Sequence, residues 1–325
     1  MKEAFLVTLD PILTLFICIA IGYILRKLGI LPDGSGKAMA TLETWVFCPA
    51  LTFITMARYC TPSSLAAHAI NVSFSAIGVL VAIAMAIPLG RLFVKSPSPE
   101  RGVYYYALTF ANSGYFGDPV VANLFGEEML SYYKMFCLPI TVVIYTWGLS
   151  ILTPTGKGGG LKKLLNPPMV AMVLGIIAGL LGVGTSLPTF ILGSLDSLKS
   201  CMGPVAMLLA GYTIAGYSVK SMLKKKKVYI ASVLRLVVFP SVIIAVLFGL
   251  KSLVGLIPGV AIDNSVIYLA LVATAAPLGL NTVVFPEAYG GDPETGAAMA
   301  MISHTLAVVS LPLMLALTSI IFGPI

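Results

Sequence analysis

Long apolar stretches recur along this chain with only short polar connections between them. Ten can be drawn, at roughly 4–27, 34–57, 68–94, 102–125, 129–152, 167–185, 190–217, 228–254, 264–288 and 294–322. Each approaches or exceeds the ~20 residues that a helix needs to cross the hydrocarbon core of a bilayer. A water-soluble domain cannot cover so much apolar surface, and with only 10% of residues charged the chain lacks the polar face that such a domain needs. The expected class is therefore an all-α polytopic membrane protein with ten transmembrane helices.

The basic residues fix an expected orientation. Loops after the first, third, fifth and seventh spans carry Arg26, Lys27, Lys37, Arg91, Lys95, Arg101, Lys157, Lys162, Lys163, Lys220 and Lys224–Lys227, fourteen in all. The other side receives five, namely Lys2, Arg58, Lys134, Lys199 and Lys251. The excess belongs on the cytoplasmic side, which places both termini outside the cell membrane. The net charge of +7 thus serves topology, and no nucleic-acid partner is expected. The Lys224–Lys227 run reads as a topology anchor or as a contact for anionic membrane lipids. Lys2 is followed by Glu3 without a small-residue cleavage site, so no signal peptide is expected. Cys18, Cys48, Cys60, Cys137 and Cys201 have no metal-ligand spacing, and neither a cofactor nor a metal is expected.

Two spans contain breaks. In the fourth, Phe110-Ala111-Asn112-Ser113-Gly114-Tyr115-Phe116-Gly117-Asp118-Pro119 places glycines, a proline and a carboxylate inside an apolar segment. In the ninth, Ala276-Pro277-Leu278-Gly279-Leu280-Asn281-Thr282 interrupts the run in a similar way. Unpaired backbone at membrane depth is tolerated only inside protein or beside a watery cavity. The prolines also repeat. Pro49 follows Pro11 by 38 residues and Pro204 follows Pro167 by 37, while Pro119 follows Pro49 by 70 and Pro277 follows Pro204 by 73. Such spacings suggest a duplicated five-span unit, 1–154 and 155–325, joined by the glycine-rich loop 153–160. Because five is odd, the second copy is expected to be inverted, which is the plan of many secondary transporters.

The expected substrate site is the crossing of the two breaks: Asn112, Ser113, Gly114, Gly117, Pro119, Pro277, Gly279, Asn281 and Thr282. Half-helix N-termini favour an anion, and an asparagine can both donate to and accept from a carboxylate. Three ionisable residues are assigned to proton or ion coupling: Asp118, Arg235 and His304. Asp118 reads as a proton carrier or cation ligand, or alternatively as the N-cap of the helix opening near Pro119. Arg235 reads as a partner for a carboxylate such as Asp118, as a snorkelling anchor or as a substrate contact. Glu43 is either a buried polar contact or a relay member, Asp10 caps the first span, and Tyr104–Tyr106 with Tyr132–Tyr133 belong to interfacial belts.

These motifs resemble the auxin efflux carrier family, comprising plant auxin transporters and bacterial malate and malonate permeases. The resemblance rests on Asn112–Pro119 with Leu124-Phe125-Gly126, and on Pro277, Asn281 and Tyr289–Pro293. It extends to Phe47–Leu51 around Pro49, Asn166-Pro167-Pro168 with Leu174-Gly175, Pro204 with Leu208–Gly211, and Arg235 with Pro240. It implies a scaffold of spans 1, 2, 6 and 7 that forms a homodimer, and a transport domain of spans 3–5 and 8–10 that moves like an elevator. It also implies a small organic acid anion as cargo. Asp118 and His304 depart from the family pattern. An alternative is a sodium-coupled bile-acid-type symporter, which would need more carboxylate or hydroxyl ligands at the crossing. A channel-like uniporter is a further reading. An intramembrane aspartyl protease would need a glycine two residues before Gly117 and a second aspartate on a neighbouring span, and the sequence has neither. No enzyme activity is expected.

Overall fold

The computed structural model describes residues 2–153, 160–184, 186–257 and 262–323. Most of the glycine-rich loop and the 154/155 repeat boundary lie outside the described residues. Among the described residues every regular element is a helix. In chain order these are α1 (Lys2–Lys27), α2 (Ser35–Tyr59), α3 (Leu65–Phe93), α4 (Pro99–Thr109), α5 (113–125), α6 (127–151), α7 (Pro167–Leu180), α8 (Thr189–Ala215), α9 (Lys226–Val254), α10 (Ser265–Ala275), α11 (Asn281–Tyr289) and α12 (Pro293–Phe322).

By length and composition, seven helical stretches among the described residues can cross a membrane. One of them, Pro99–Ile151, contains 53 residues and covers α4 to α6. As a straight helix it would extend ~80 Å, far beyond a bilayer core of ~30 Å. It folds back at Gly126, whose φ of 86° and ψ of 174° lie in a region essentially reserved for glycine. Two further apolar helices, α7 and α10, have 14 and 11 residues and fall short of a full span.

Helix starts follow local chemistry. Ser98, Asn166 and Asp292 each stand before a proline and accept a hydrogen bond from the backbone N–H three residues on, at 3.3, 3.1 and 3.0 Å. The cap satisfies an orphan donor, and proline in the first turn has no N–H to leave unsatisfied. Asp10 does not cap the first span, because α1 already runs from Lys2 and Asp10 sits on its exposed surface.

Glycines let two helix pairs approach backbone to backbone. A Cβ on Gly22 of α1 would lie 2.1 Å from the Leu208 carbonyl oxygen of α8, and one on Gly211 would lie 1.9 Å from that of Ile19. In the same way Gly175 and Gly179 of α7 press on the backbone of Phe53, Met56 and Cys60 at the end of α2. Close van der Waals packing of this kind is what holds helices together where lipid offers no hydrophobic gain. Arg58 ties α2 to α8 by a two-pronged bond to Asp196, at 2.9 and 2.7 Å.

The belt assignment of three tyrosines is overturned. Tyr104, Tyr106 and Tyr133 are buried within the bundle. Tyr104 stacks on Phe93, and the hydroxyls of the other two serve the site. Lys134 is likewise no loop residue. It lies in α6, nine-tenths buried, and leaves the count of orienting charges.

Candidate functional site

Helix α4 stops at Thr109 and α10 at Ala275, each followed by non-helical residues before α5 and α11 begin. The two interruptions meet: the Asn112 N–H donates to the Pro277 carbonyl at 2.7 Å. Nearby, the Leu278 N–H donates to Ser303 Oγ of α12 at 3.0 Å. Two helix ends that would otherwise leave backbone groups unsatisfied thereby satisfy several of them.

The C-terminal ends carry unpaired carbonyls and the negative end of the helix dipole. Arg235 of α9 answers both at once. Its fully buried guanidinium donates to the Ala107 carbonyl of α4 at 3.2 Å, and to the carbonyls of Ala276 and Pro277. It therefore does not pair with Asp118 or snorkel to the surface. It lies behind the site as a brace between two backbone ends.

The N-terminal ends face the other way. Ser113 and Gly114 at the start of α5, and Gly279, Leu280 and Asn281 at the start of α11, line a cavity of about 190 Å³. The first-turn N–H groups of a helix have no acceptor within it, and they carry the positive end of the dipole. The buried Asn112 Nδ2 has no partner, while Asn281 Nδ2 donates to the Tyr106 hydroxyl at 2.9 Å. Asn112, Asn281 and Tyr106 all line the cavity.

The opposite wall comes from Thr44, Cys48 and Thr52 of α2 and from Met169 and Met172 of α7, with Asn166 and Pro168 at the start of α7. The cavity therefore lies between the α2–α7 pair and the two interruptions. Asp118 and Lys134 also line it. They form a buried ion pair, Lys134 Nζ donating to Asp118 Oδ2. The carboxylate is turned to the lysine, and Asp118 lies within α5 rather than at the N-cap of a helix opening at Pro119. Tyr133, next to Lys134, donates to the Ser113 carbonyl at 3.0 Å and steadies the start of α5.

The remaining expected residues stand outside the lining. A Cβ on Gly117 would meet the Tyr133 hydroxyl at 2.1 Å, so this glycine makes room for that tyrosine. Pro119 packs over Gly203 of α8. Pro277 contributes its carbonyl to Asn112 and Arg235, and Thr282 folds back onto the Gly279 carbonyl at 3.0 Å. His304 is buried in α12 with Nδ1 2.8 Å from the Ala300 carbonyl, and its ring stands edge-on to Phe116. Glu43 is buried with neither carboxylate oxygen partnered, one residue before Thr44 of the cavity wall. Among the described residues no group of histidine, cysteine, aspartate and glutamate could hold a metal.

Lys134 and Tyr106, which the sequence assigns to a loop and to an interfacial belt, stand in the cavity wall with the α2 and α7 residues outside the expected set. The signal for Lys134 was present. From Asp118 to Gly126 is eight residues, and from Gly126 to Lys134 is eight more. A reversal at Gly126 brings both, about 12 Å along their helices, to the same depth.

The family profile described as "Membrane transport protein" matches residues 7–315. An uncharacterized transporter of Methanocaldococcus jannaschii is 25% identical over 324 aligned residues, covering 95% of this chain and 98% of its own. Another, from Methanothermobacter thermautotrophicus, is 24% identical over 216 residues, covering 65% of this chain and 69% of its own.

Proposed function

The chain belongs to the membrane transport protein family, the auxin efflux carrier-like transporters, and from that premise we propose that it is a secondary transporter for a small organic acid anion. One observation carries the cargo class. The starts of α5 and α11, with Asn112 and Asn281, converge on the cavity, while Arg235 occupies the carbonyl ends behind it. Dipole ends and amide donors suit a carboxylate, as in other anion sites at helix N-termini.

In this reading the chain crosses the plasma membrane ten times as two inverted five-span repeats. The fourth and ninth spans are the interrupted ones and cross at Asn112 and Pro277. Spans 1, 2, 6 and 7 form a scaffold with a homodimer contact. The glycine-mediated pairs α1–α8 and α2–α7 are what support it. The cavity separates α2 and α7 from the interruptions, so sliding one group past the other would expose it to each side in turn, as in an elevator. The remaining basic loops keep the cytoplasmic assignment and place both termini outside.

A bile-acid-type sodium symporter is the weaker reading. A sodium ion at the crossing would need oxygen ligands, and the Ala107, Ala276 and Pro277 carbonyls are engaged by Arg235. The test is uptake of radiolabelled malate, malonate and indole-3-acetate into proteoliposomes. The expected result is saturable uptake of at least one of them, with counterflow and without a sodium requirement. Failure of all three to move would reject the anion reading, a strict sodium requirement would favour the symporter, and unsaturable flux would favour a channel.

A further inference from the structure

The Asp118–Lys134 pair stands in the wall of the cavity. Both side chains are buried, both face the cavity, and they lie on the two arms of the turn at Gly126. A buried ammonium deprived of its counter-ion is strongly disfavoured, and the same holds for a buried carboxylate. Asp118 supplies to Lys134 the functional group that an organic acid would bring.

We propose that Lys134 is the cation that binds the cargo's carboxylate, and that Asp118 is its built-in stand-in when the cavity is empty. This rests on the organic-anion reading given above. An arriving carboxylate takes the ammonium, and Asp118 is left in a buried site beside a second anion. Two carboxylates sharing such a site cannot both remain charged, so Asp118 takes up one proton from the aqueous phase. The step is Asp118–COO⁻ plus H⁺ giving Asp118–COOH, with no other bond made or broken. Each cargo molecule bound at Lys134 is therefore accompanied by one proton. When the cargo leaves, Asp118 gives up the proton and returns to Lys134.

The surroundings leave the pair as the charged centre of the cavity. The titratable neighbours are Cys48 of α2 and, on α6 itself, Tyr133 and Cys137, a set of thiols and a phenol that are uncharged at neutral pH in the ordinary case. Tyr106, Tyr115 and Tyr145 add further phenols to the wall. Farther off, Glu43 of α2 lies within electrostatic reach of Cys48, and His68 of α3 stands against Tyr132. Tyr268 of α10 meets Phe125, and Glu127 is held by Lys199 of α8 at 3.0 Å.

The test is calorimetric titration of the purified full chain with malonate, malate and indole-3-acetate at neutral pH, in buffers of different ionisation enthalpy, which counts protons taken up on binding. Wild type should take up one proton per carboxylate group held at Lys134. Asp118→Asn should still bind the acid, because Lys134 remains and its built-in competitor is gone. Lys134→Gln should lose affinity by roughly 30-fold or more, the scale of removing one partner of a buried charge pair. The double variant Asp118→Asn/Lys134→Gln should recover wild-type melting but not binding, which separates this role from a purely structural ion pair. Wild-type affinity in Lys134→Gln or in the double variant would overturn the proposal and leave the organic-anion reading standing. So would binding by the wild type without proton uptake, or loss of binding in a folded Asp118→Asn. Wild type that binds none of the three acids would overturn both.

Discussion

Replacing Arg235 by methionine keeps an unbranched apolar stem and removes the fork that joins two helix ends. Its nitrogens reach the Ala107 carbonyl on one side and the Ala276 and Pro277 carbonyls on the other. A hydrogen bond from a charged donor contributes ~1.5–3 kcal/mol, so two such links amount to about 3–6 kcal/mol gross. Against this stands the cost of burying the guanidinium, several kcal/mol that the variant no longer bears. A whole buried ion pair can be replaced by apolar groups without loss, but here the partners are backbone carbonyls: that of Pro277 keeps the Asn112 N–H, while those of Ala107 and Ala276 lose their side-chain donor. At ~1–3 kcal/mol each, these two leave a net loss of about 2–6 kcal/mol where the lost bonds and the relieved burial offset one another. The loss falls on the contact that places Asn112 at Pro277, so uptake into proteoliposomes should decline along with stability. Arg235→Lys keeps the charge but reaches one helix end, and should recover about half of the difference. Stability is read by SDS titration of the purified protein, beside uptake in liposomes. Wild-type stability in Arg235→Met would show that the helix ends do not need the brace and would refute the reasoning.

Gly126→Ala should cost ~1–3 kcal/mol from backbone strain alone, since an added Cβ there would meet no neighbour and only the φ of 86° opposes it; the same SDS titration measures it. Asn281→Ala removes from the cavity wall an amide that can both donate and accept, whereas Tyr106→Phe leaves that amide and removes one hydroxyl. Titration of each variant with the best-bound acid should give a weaker affinity in Asn281→Ala than in Tyr106→Phe, by roughly tenfold for one lost hydrogen bond to a charged ligand.

Much of this arrangement was legible from residue type alone. Proline, glycine and asparagine within apolar runs coincide with the non-helical stretches 110–112 and 276–280, because each removes or redirects backbone hydrogen bonding. The helix starts at Ser98, Asn166 and Asp292 rest on capping chemistry that is local by nature, although Ser98 and Asp292 were not read as caps from the sequence. Which face a side chain takes is not local. Tyr104 and Tyr106 sit near a span end, where a tyrosine usually marks the interface, yet in this fold that end is packed inside the bundle. Arg235 was visible as a charge within a span, but its partners are backbone atoms 41, 42 and 128 residues away. No side-chain pattern encodes such acceptors. Lys134 was counted among the loop lysines that orient the chain, and only the reversal at Gly126 turns it towards Asp118.

The two buried cations differ in what holds them, and this assigns them different work. The acceptors of Arg235 are peptide carbonyls, which cannot take up a proton at neutral pH and cannot leave. A guanidinium keeps its charge under all ordinary conditions. That contact therefore has one state, suited to fixing two helix ends throughout any motion. The acceptor of Lys134 is a side-chain carboxylate, which can be neutralised by a proton and displaced by another carboxylate. That contact has two states, with a cavity beside it large enough to admit the competitor. A lysine is also the more adaptable cation, a point charge on a flexible stem that can follow either partner. Exchanging the two, by Lys134→Arg, should therefore retain the pair with Asp118 while weakening the exchange of its partner. An affinity for the best-bound acid equal to that of the wild type would contradict this division of roles.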